Sequence, residues 1–139
     1  MDHPSNWAFL PVGYLFSVLI ETPVLLVGLS ARHPYGRRLF AGLWLTACTY
    51  PIVVLVLPEF FDTRDQRTLY LWVAETFAPA AECALFWAAW GTRAEWGRRS
   101  MWRDFAAITL ANLASFGLGE VMNHYRMFAP FLPQPLAAK

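Results

Sequence analysis

Charged side chains are scarce in this chain. Asp, Glu, Lys and Arg make up only 15% of its 139 residues, and 57% of the residues are hydrophobic, whereas about a quarter of a soluble domain is charged. So little charge with so much apolar surface is typical of a membrane protein. The net charge of +1 offers no basic surface for phosphates, and we expect no nucleic-acid partner.

Cysteine and histidine are also rare. Cys48 and Cys83 lie inside apolar runs, where a thiol usually packs as a small hydrophobic group. His3, His33 and His124 lie at the ends of the apolar runs or of the chain, so no pair can ligate a haem within a bilayer. The HExxH, GxSxG and P-loop motifs are missing from the sequence. An enzyme is therefore less expected than a non-catalytic protein, and we expect no resident cofactor.

Long apolar runs, in contrast, dominate the chain. They cover about 7–29, 39–57, 69–90 and 105–124, and each is close to the ~20 residues that cross a hydrocarbon core of about 30 Å. Backbone polar groups in lipid must bond within their own segment, which favours helices. We therefore expect an all-α fold, and because the connections are short, neighbouring helices should be antiparallel. The predicted architecture is a single domain over 1–139, with four transmembrane helices in an up-down antiparallel bundle.

The basic residues are distributed unevenly between the connections. The loop at 30–38 holds three Arg and the loop at 91–104 holds four. The positive-inside rule places both loops in the cytoplasm and both chain termini outside. We expect the first run to be retained as a span, and the protein to be integral to a membrane, with a bacterial inner membrane as the expected location.

Each apolar run carries a stripe of polar or small residues on one helical face. The stripes consist of Tyr14, Ser17, Glu21 and Gly28; Gly42, Thr46 and Thr49; Glu75 and Glu82; and Asn112, Ser115, Gly119 and Asn123. Glu120 lies to one side of the last stripe. Four such stripes indicate helices that face a common axis. Close helix packing and hydrogen bonds between helices explain the small and hydroxylated residues, but they do not explain the glutamates.

An ionised carboxylate at mid-membrane costs about 3 kcal/mol even on insertion scales. No Lys or Arg lies within any run, so the expected partner of these acids is a proton or a bound cation. The predicted proton or cation site consists of Glu21, Glu75, Glu82, Asn112, Glu120, Thr46 and Thr49. Glu21 and Glu82 are its candidate metal ligands. Such oxygen-rich surroundings suit Mg²⁺, Ca²⁺, Na⁺ or Mn²⁺ better than Zn²⁺.

The sequence leaves three functions open. The first is binding, with conduction or exchange, of protons or a hard cation through an acidic interior. Because four helices are few for a transporter, this function implies a homo-oligomer or a partner membrane subunit. The second is a non-catalytic subunit or assembly factor of a larger membrane complex. The third is a membrane-embedded enzyme with a lipidic substrate, in which carboxyl groups transfer protons.

Overall fold

The computed structural model describes residues 3–61 and 65–125, and all of their regular secondary structure is helical. The four long helices are α1 (His3–Gly28), α2 (Tyr35–Pro51), α3 (Arg67–Trp90) and α4 (Arg99–His124). A π-helical segment (Ile52–Val56) and a 3₁₀ turn (Leu57–Phe60) continue α2, and a second 3₁₀ turn (Arg93–Glu95) precedes α4. The expected all-α fold is thus confirmed for the described residues.

The helices form a four-membered bundle in chain order. α1 packs against α2 and α4, and α3 packs against the same two helices from the opposite side. Neighbours run antiparallel: Thr22 of α1 lies beside Gly42 of α2, while Leu26, one turn further along α1, accepts a hydrogen bond from Arg38. The stripes of all four helices can therefore meet in the interior.

The helical region around α2 is longer than predicted. The apolar run covers about 39–57, whereas the continuous helical stretch is Tyr35–Phe60. α2 begins directly after Pro34, whose carbonyl accepts the backbone N–H groups of Arg37 and Arg38. Near the other end, Pro51 has no N–H to donate to the carbonyl of Ala47, and the chain widens into the π-helical segment directly after it.

α4 begins earlier than the sequence predicted. The sequence predicts a loop at 91–104 because these residues are charged, whereas Arg99 to Asp104 form the first turns of α4. Those charges are accommodated in the fold, since Arg103 donates a 2.8 Å hydrogen bond to the carbonyl of Gly28 and Asp104 is buried. Bonds of this kind join residues remote in sequence, and hydropathy does not report them.

Three helical stretches among the described residues are long and apolar enough to cross a membrane: Phe9–Gly28, Tyr35–Phe60 and Arg99–His124. They correspond to three of the four predicted spans. α3 has the length of a span, but its polar residues, Glu75 and Glu82 among them, lower its mean hydropathy. The same carboxyl groups give α3 its polar face.

The apolar core occupies the half of the bundle nearer the loop at 30–38. Its fully buried large side chains are Leu25, Leu29, Leu45, Phe86 and Ile108. The other half of the interior is lined by the polar stripes. The described outer surface, in contrast, carries many exposed Leu, Val, Phe and Trp side chains.

Candidate functional site

Glu21 of α1 lies in the interior with 3% of its surface exposed. One carboxyl oxygen accepts a 2.7 Å hydrogen bond from the hydroxyl of Thr46 on α2, and the other accepts a 2.6 Å bond from the hydroxyl of Ser115 on α4. Both donors are neutral. Glu21, the acid of the first apolar run, is thus bonded to both helices that flank α1.

Glu82 of α3 has the corresponding arrangement on the opposite side of the bundle and is 1% exposed. Thr49 of α2 and the Asn112 amide of α4 each donate a 2.7 Å hydrogen bond, one to each carboxyl oxygen. α2 and α4 therefore each hold one donor for Glu21 and one for Glu82. This pairing explains why polar residues recur on α2 and α4.

The hydroxyl groups around Glu21 each have two possible acceptors. Thr46 Oγ1 lies 2.8 Å from the carbonyl oxygen of Gly42, and Ser115 Oγ lies 3.0 Å from that of Asn112. A hydroxyl group can donate only one proton. When Glu21 is ionised, both hydroxyls can donate to it. When it is protonated, one hydroxyl can turn to its backbone carbonyl and accept the new proton, so neither state leaves a buried polar group unpaired.

Glu82 shares this property at one of its two oxygens. Thr49 Oγ1 lies 3.1 Å from the carbonyl oxygen of Leu45 and can turn towards it. The Asn112 amide uses both of its protons, one for Glu82 and one for the carbonyl of Ile108 at 3.0 Å. A proton on Glu82 is therefore best placed on the oxygen that faces Thr49, whereas Glu21 can hold one on either oxygen.

A cavity of about 360 Å³ lies between the four helices beside these carboxyl groups. It extends from Glu21 and Glu82 towards the bundle end at which Pro58 and Arg67 are located. Apolar and aromatic side chains form most of its wall, including Phe16, Tyr50, Val53, Tyr70, Leu71 and Phe116. Small-molecule sites in proteins typically enclose about 300–1,000 Å³ within mainly apolar walls that carry a few polar groups.

The wall carries two further acids. Glu120 of α4 pairs with Arg67 of α3 at 2.7 Å, and both side chains are partly exposed. Glu75 is half-buried and makes no hydrogen bond or ion pair with the described part of the chain. Of the carboxyl groups in the cavity, Glu75 is therefore the one best able to accept a hydrogen bond from, or form an ion pair with, a bound molecule.

All of the residues predicted for the site line this one cavity. The prediction left out Ser115, which was assigned to helix packing, as well as Tyr50, Tyr70 and Arg67. The polar stripe of α4 did contain Ser115, but the stripe could not show that its hydroxyl reaches Glu21. Arg67 precedes the apolar run at 69–90, yet it begins α3.

A third buried acid of the described residues lies at the other end of the bundle. Asp104 of α4 is fully buried, and it accepts a 2.6 Å bond from the backbone N–H of Ser30, a 2.8 Å bond from Arg32 and a 3.0 Å bond from His33 Nε2. These contacts fix the turn between α1 and α2 against the start of α4. The sequence analysis missed this network, because Asp104 is 71 to 74 residues away from its partners.

The hydrogen bonds around His33 identify its tautomer. Arg37 lies 3.2 Å from Nδ1, and arginine can only donate, so Nδ1 accepts and the proton is on Nε2, facing Asp104. Burial lowers the pKa of His33 below its ordinary value, against the opposing effect of Asp104. A neutral His33 agrees with both observations.

Within the described ranges, no group of three or more His, Cys, Asp and Glu side chains is arranged to hold a metal ion. Both oxygens of Glu21 and of Glu82 already accept a hydrogen bond, and a cation would have to displace these donors. Metal binding by Glu21 and Glu82 stays a prediction. Comparison of the chain with family models, curated proteins and solved structures gives no match.

Proposed function

We propose that this chain is an integral membrane protein of four transmembrane helices, in which Glu21 and Glu82 bind protons and exchange them with the contents of the cavity. The observation that carries this proposal is the bonding of the two buried carboxyl groups. Each has only neutral donors, and each can gain a proton by rotation of a neighbouring hydroxyl. A protein that needed fixed charges here would be expected to provide cationic partners, as Arg32 does for Asp104.

The outer surface supports the membrane location. Exposed apolar side chains cover every helix, and they include Leu19, Leu43, Trp72 and Leu110. Water disfavours such a surface, but lipid tails match it. In this proposal α3 also spans the membrane, with its glutamates turned to the interior. The loops at 30–38 and 91–104 lie in the cytoplasm, both termini lie outside, and the cavity opens to the outer side.

The packing favours exchange on one side of the membrane over conduction through the bundle. Leu25, Phe86 and Ile108 lie about one helical turn from the carboxyl groups towards the cytoplasmic end, and each is at most 1% exposed. A proton or hydrated cation would have to cross this apolar layer to reach the Asp104 network. We therefore propose exchange between the acids and the cavity as the main event.

The other predicted functions have less support from the geometry. A hard cation such as Mg²⁺ or Ca²⁺ requires six or more oxygen ligands, and the cavity wall is mainly apolar. Glu21 and Glu82 obtain their hydrogen bonds within one chain, so their burial needs neither a partner subunit nor a homo-oligomer.

One observation favours a second candidate function. Glu21 and Glu82 lie at the inner end of a cavity whose walls suit an apolar molecule. A membrane-embedded enzyme with a lipidic substrate would require such an arrangement. A carboxyl group that can hold a proton in either of two positions, as Glu21 can, suits general acid or base catalysis. Proton exchange would then be one step of a reaction on that substrate.

Proton uptake tests the main proposal. Protein in lipid nanodiscs is shifted from about pH 9 to about pH 3, a range that spans ordinary Glu titration, and the protons taken up per chain are measured with an indicator dye. We expect Glu21→Gln and Glu82→Gln each to reduce the uptake by one proton per chain. Glu59→Gln, outside the cavity lining, serves as the reference for removal of a carboxyl group elsewhere in the chain. Unchanged uptake in the Glu21→Gln Glu82→Gln double variant would remove the proposal.

A further inference from the structure

The cavity lining is strongly unbalanced in charge. It contains the carboxyl groups of Glu21, Glu75, Glu82 and Glu120. Arg67 is the only Lys or Arg among the described lining residues, and its guanidinium group is already paired with Glu120. An anionic molecule would therefore meet acids without a free cationic partner. A cationic molecule would meet the opposite charge.

Glu75 is the carboxyl group best placed to supply that charge. It is half-buried on the cavity wall and has no hydrogen bond or ion pair with the described part of the chain. The other titratable groups around the same cavity are Glu21 from α1, Tyr50 from α2 and Glu120 from α4, together with Arg67, Tyr70 and Glu82 from α3. Because none of these groups neutralises Glu75 by direct contact, Glu75 can form an ion pair with a bound molecule.

The wall composition indicates what the cation is attached to. Rings of Phe16, Tyr50, Tyr70 and Phe116 line the cavity, and aromatic faces attract organic cations while contributing apolar contact area. A small inorganic ion would not make use of this aromatic and apolar wall. A volume of about 360 Å³ corresponds to roughly a dozen water molecules at ~30 Å³ each, which suits an organic molecule of about that many non-hydrogen atoms.

We propose that the cavity binds a protonated organic amine with a mainly apolar body, whose ammonium group pairs with Glu75 and whose body lies against the aromatic wall. The inference rests on the proposed function to the extent that both use this cavity, and it names the class of molecule that enters it. Glu21 and Glu82, at the inner end, would lie beside the bound amine and could exchange protons with it.

Equilibrium dialysis tests the ligand class. Wild-type protein in nanodiscs of uncharged phosphatidylcholine is dialysed against phenylbutyl-dimethylamine, phenylbutanol or phenylbutyrate at neutral pH, with empty nanodiscs as the blank. The three probes share an apolar body and differ in charge. We expect the amine to bind at least about tenfold more tightly than the alcohol, which corresponds to about 1.4 kcal/mol, and phenylbutyrate to bind most weakly.

Two variants locate the site. Glu75→Gln keeps the side-chain shape and should weaken amine binding by about tenfold or more, with little effect on the alcohol. Glu59→Gln removes the same charge from a residue outside the lining and should leave amine binding unchanged. Thermal unfolding of each variant checks that it is folded.

Equal binding of amine and alcohol, or amine binding unaffected by Glu75→Gln, would overturn the inference. These outcomes are separate from the proposed function, which proton uptake tests without any ligand. If uptake depends on Glu21 and Glu82 but the amine does not bind, only the ligand class is wrong. If neither result is obtained, both proposals are wrong.

Discussion

The buried acids of this protein are of two kinds. Asp104 is paired with Arg32 and receives the backbone N–H of Ser30, so its surroundings match a permanent negative charge. Glu21 and Glu82 receive hydrogen bonds only from neutral groups, so their surroundings match a carboxyl group that changes its protonation state. Asp104 therefore has a structural role, whereas the two glutamates are the candidates for chemistry.

Replacing Asp104 with Ala should be strongly destabilising. The change leaves Arg32, His33 and the N–H of Ser30 buried or partly buried without their acceptor. Breaking a buried pair of this kind typically costs about 3–5 kcal/mol, and the free energy of unfolding in mild detergent measures it. Glu95→Gln is the matched control, since it removes the more exposed acid beside the same Arg32 and should cost far less, because exposed ion pairs contribute little to stability. Equal losses in the two variants would contradict the assignment.

His33 should make stability depend on pH. Because burial lowers its pKa in the folded protein, the unfolded chain takes up a proton first as the pH falls through about 6.5. His33 thus contributes stability that is fully present above this pH and is lost below it. The free energy of unfolding of the wild type minus that of His33→Gln should decrease between about pH 7.5 and about pH 5.5. A difference that grows on acidification would contradict the neutral assignment.

Helical periodicity in the sequence predicted which polar side chains face the interior of the bundle. Glu21, Glu82, Thr46 and Asn112 share faces that converge in the bundle, and α-helical spacing was enough to find them. His33 was set aside as a residue near a helix end, because its partner Asp104 is distant in sequence and no local pattern connects them.

At the level of helices, α1 is held close to both of its neighbours by glycine. A Cβ atom on Gly28 would lie 2.8 Å from the Cβ of Ala107 on α4, and one on Gly42 of α2 would collide with Thr22. This close approach is needed for Glu21 to reach donors on α2 and α4. The sequence analysis correctly assigned both glycines to helix packing rather than to chemistry.

A larger residue at Gly28 should therefore separate α1 from α4. We expect Gly28→Val to destabilise the protein by about 1–3 kcal/mol, as overpacking typically does, and to weaken the bond between Ser115 and Glu21. Gly117 of α4 has no atom within 4 Å of an added Cβ, so Gly117→Ala should be neutral or stabilise the helix by up to about 1 kcal/mol. Unfolding in detergent measures both. An unchanged free energy of unfolding in Gly28→Val would contradict the close packing of α1 against α4 at this position.

Helix boundaries were predicted less well than helix faces. The run at 105–124 identified α4, but charge hid its first turns, which begin at Arg99. The run at 39–57 missed the first turn of α2 after Pro34 and the 3₁₀ turn that follows the π-helical segment. Hydropathy detects the part of a helix that can meet lipid, whereas capping and side-chain bonds decide where the helix begins and ends.

At the level of the whole molecule, the proposed orientation predicts the accessibility of the two ends. On a background in which Cys48 and Cys83 are replaced by Ala, a cysteine introduced by Asp65→Cys should react with a membrane-impermeant maleimide in intact cells. Arg93→Cys should react only after the cells are permeabilised. Both positions are exposed in the structure, so burial does not explain a difference. The reverse pattern would contradict the assigned orientation.

The central claim is that Glu21 and Glu82 gain and lose protons while the hydroxyls beside them turn. Infrared difference spectroscopy of protein in nanodiscs, recorded as the pH is lowered, tests it most directly through the carboxylic acid C=O stretch. We predict one band that disappears in Glu21→Gln and another that disappears in Glu82→Gln. The Glu21 band should shift in frequency in Ser115→Ala, and the Glu82 band should shift in Thr49→Val, because each of these variants removes one hydrogen-bond partner. Spectra in which the wild type and the two glutamine variants show the same bands at every pH would contradict the claim.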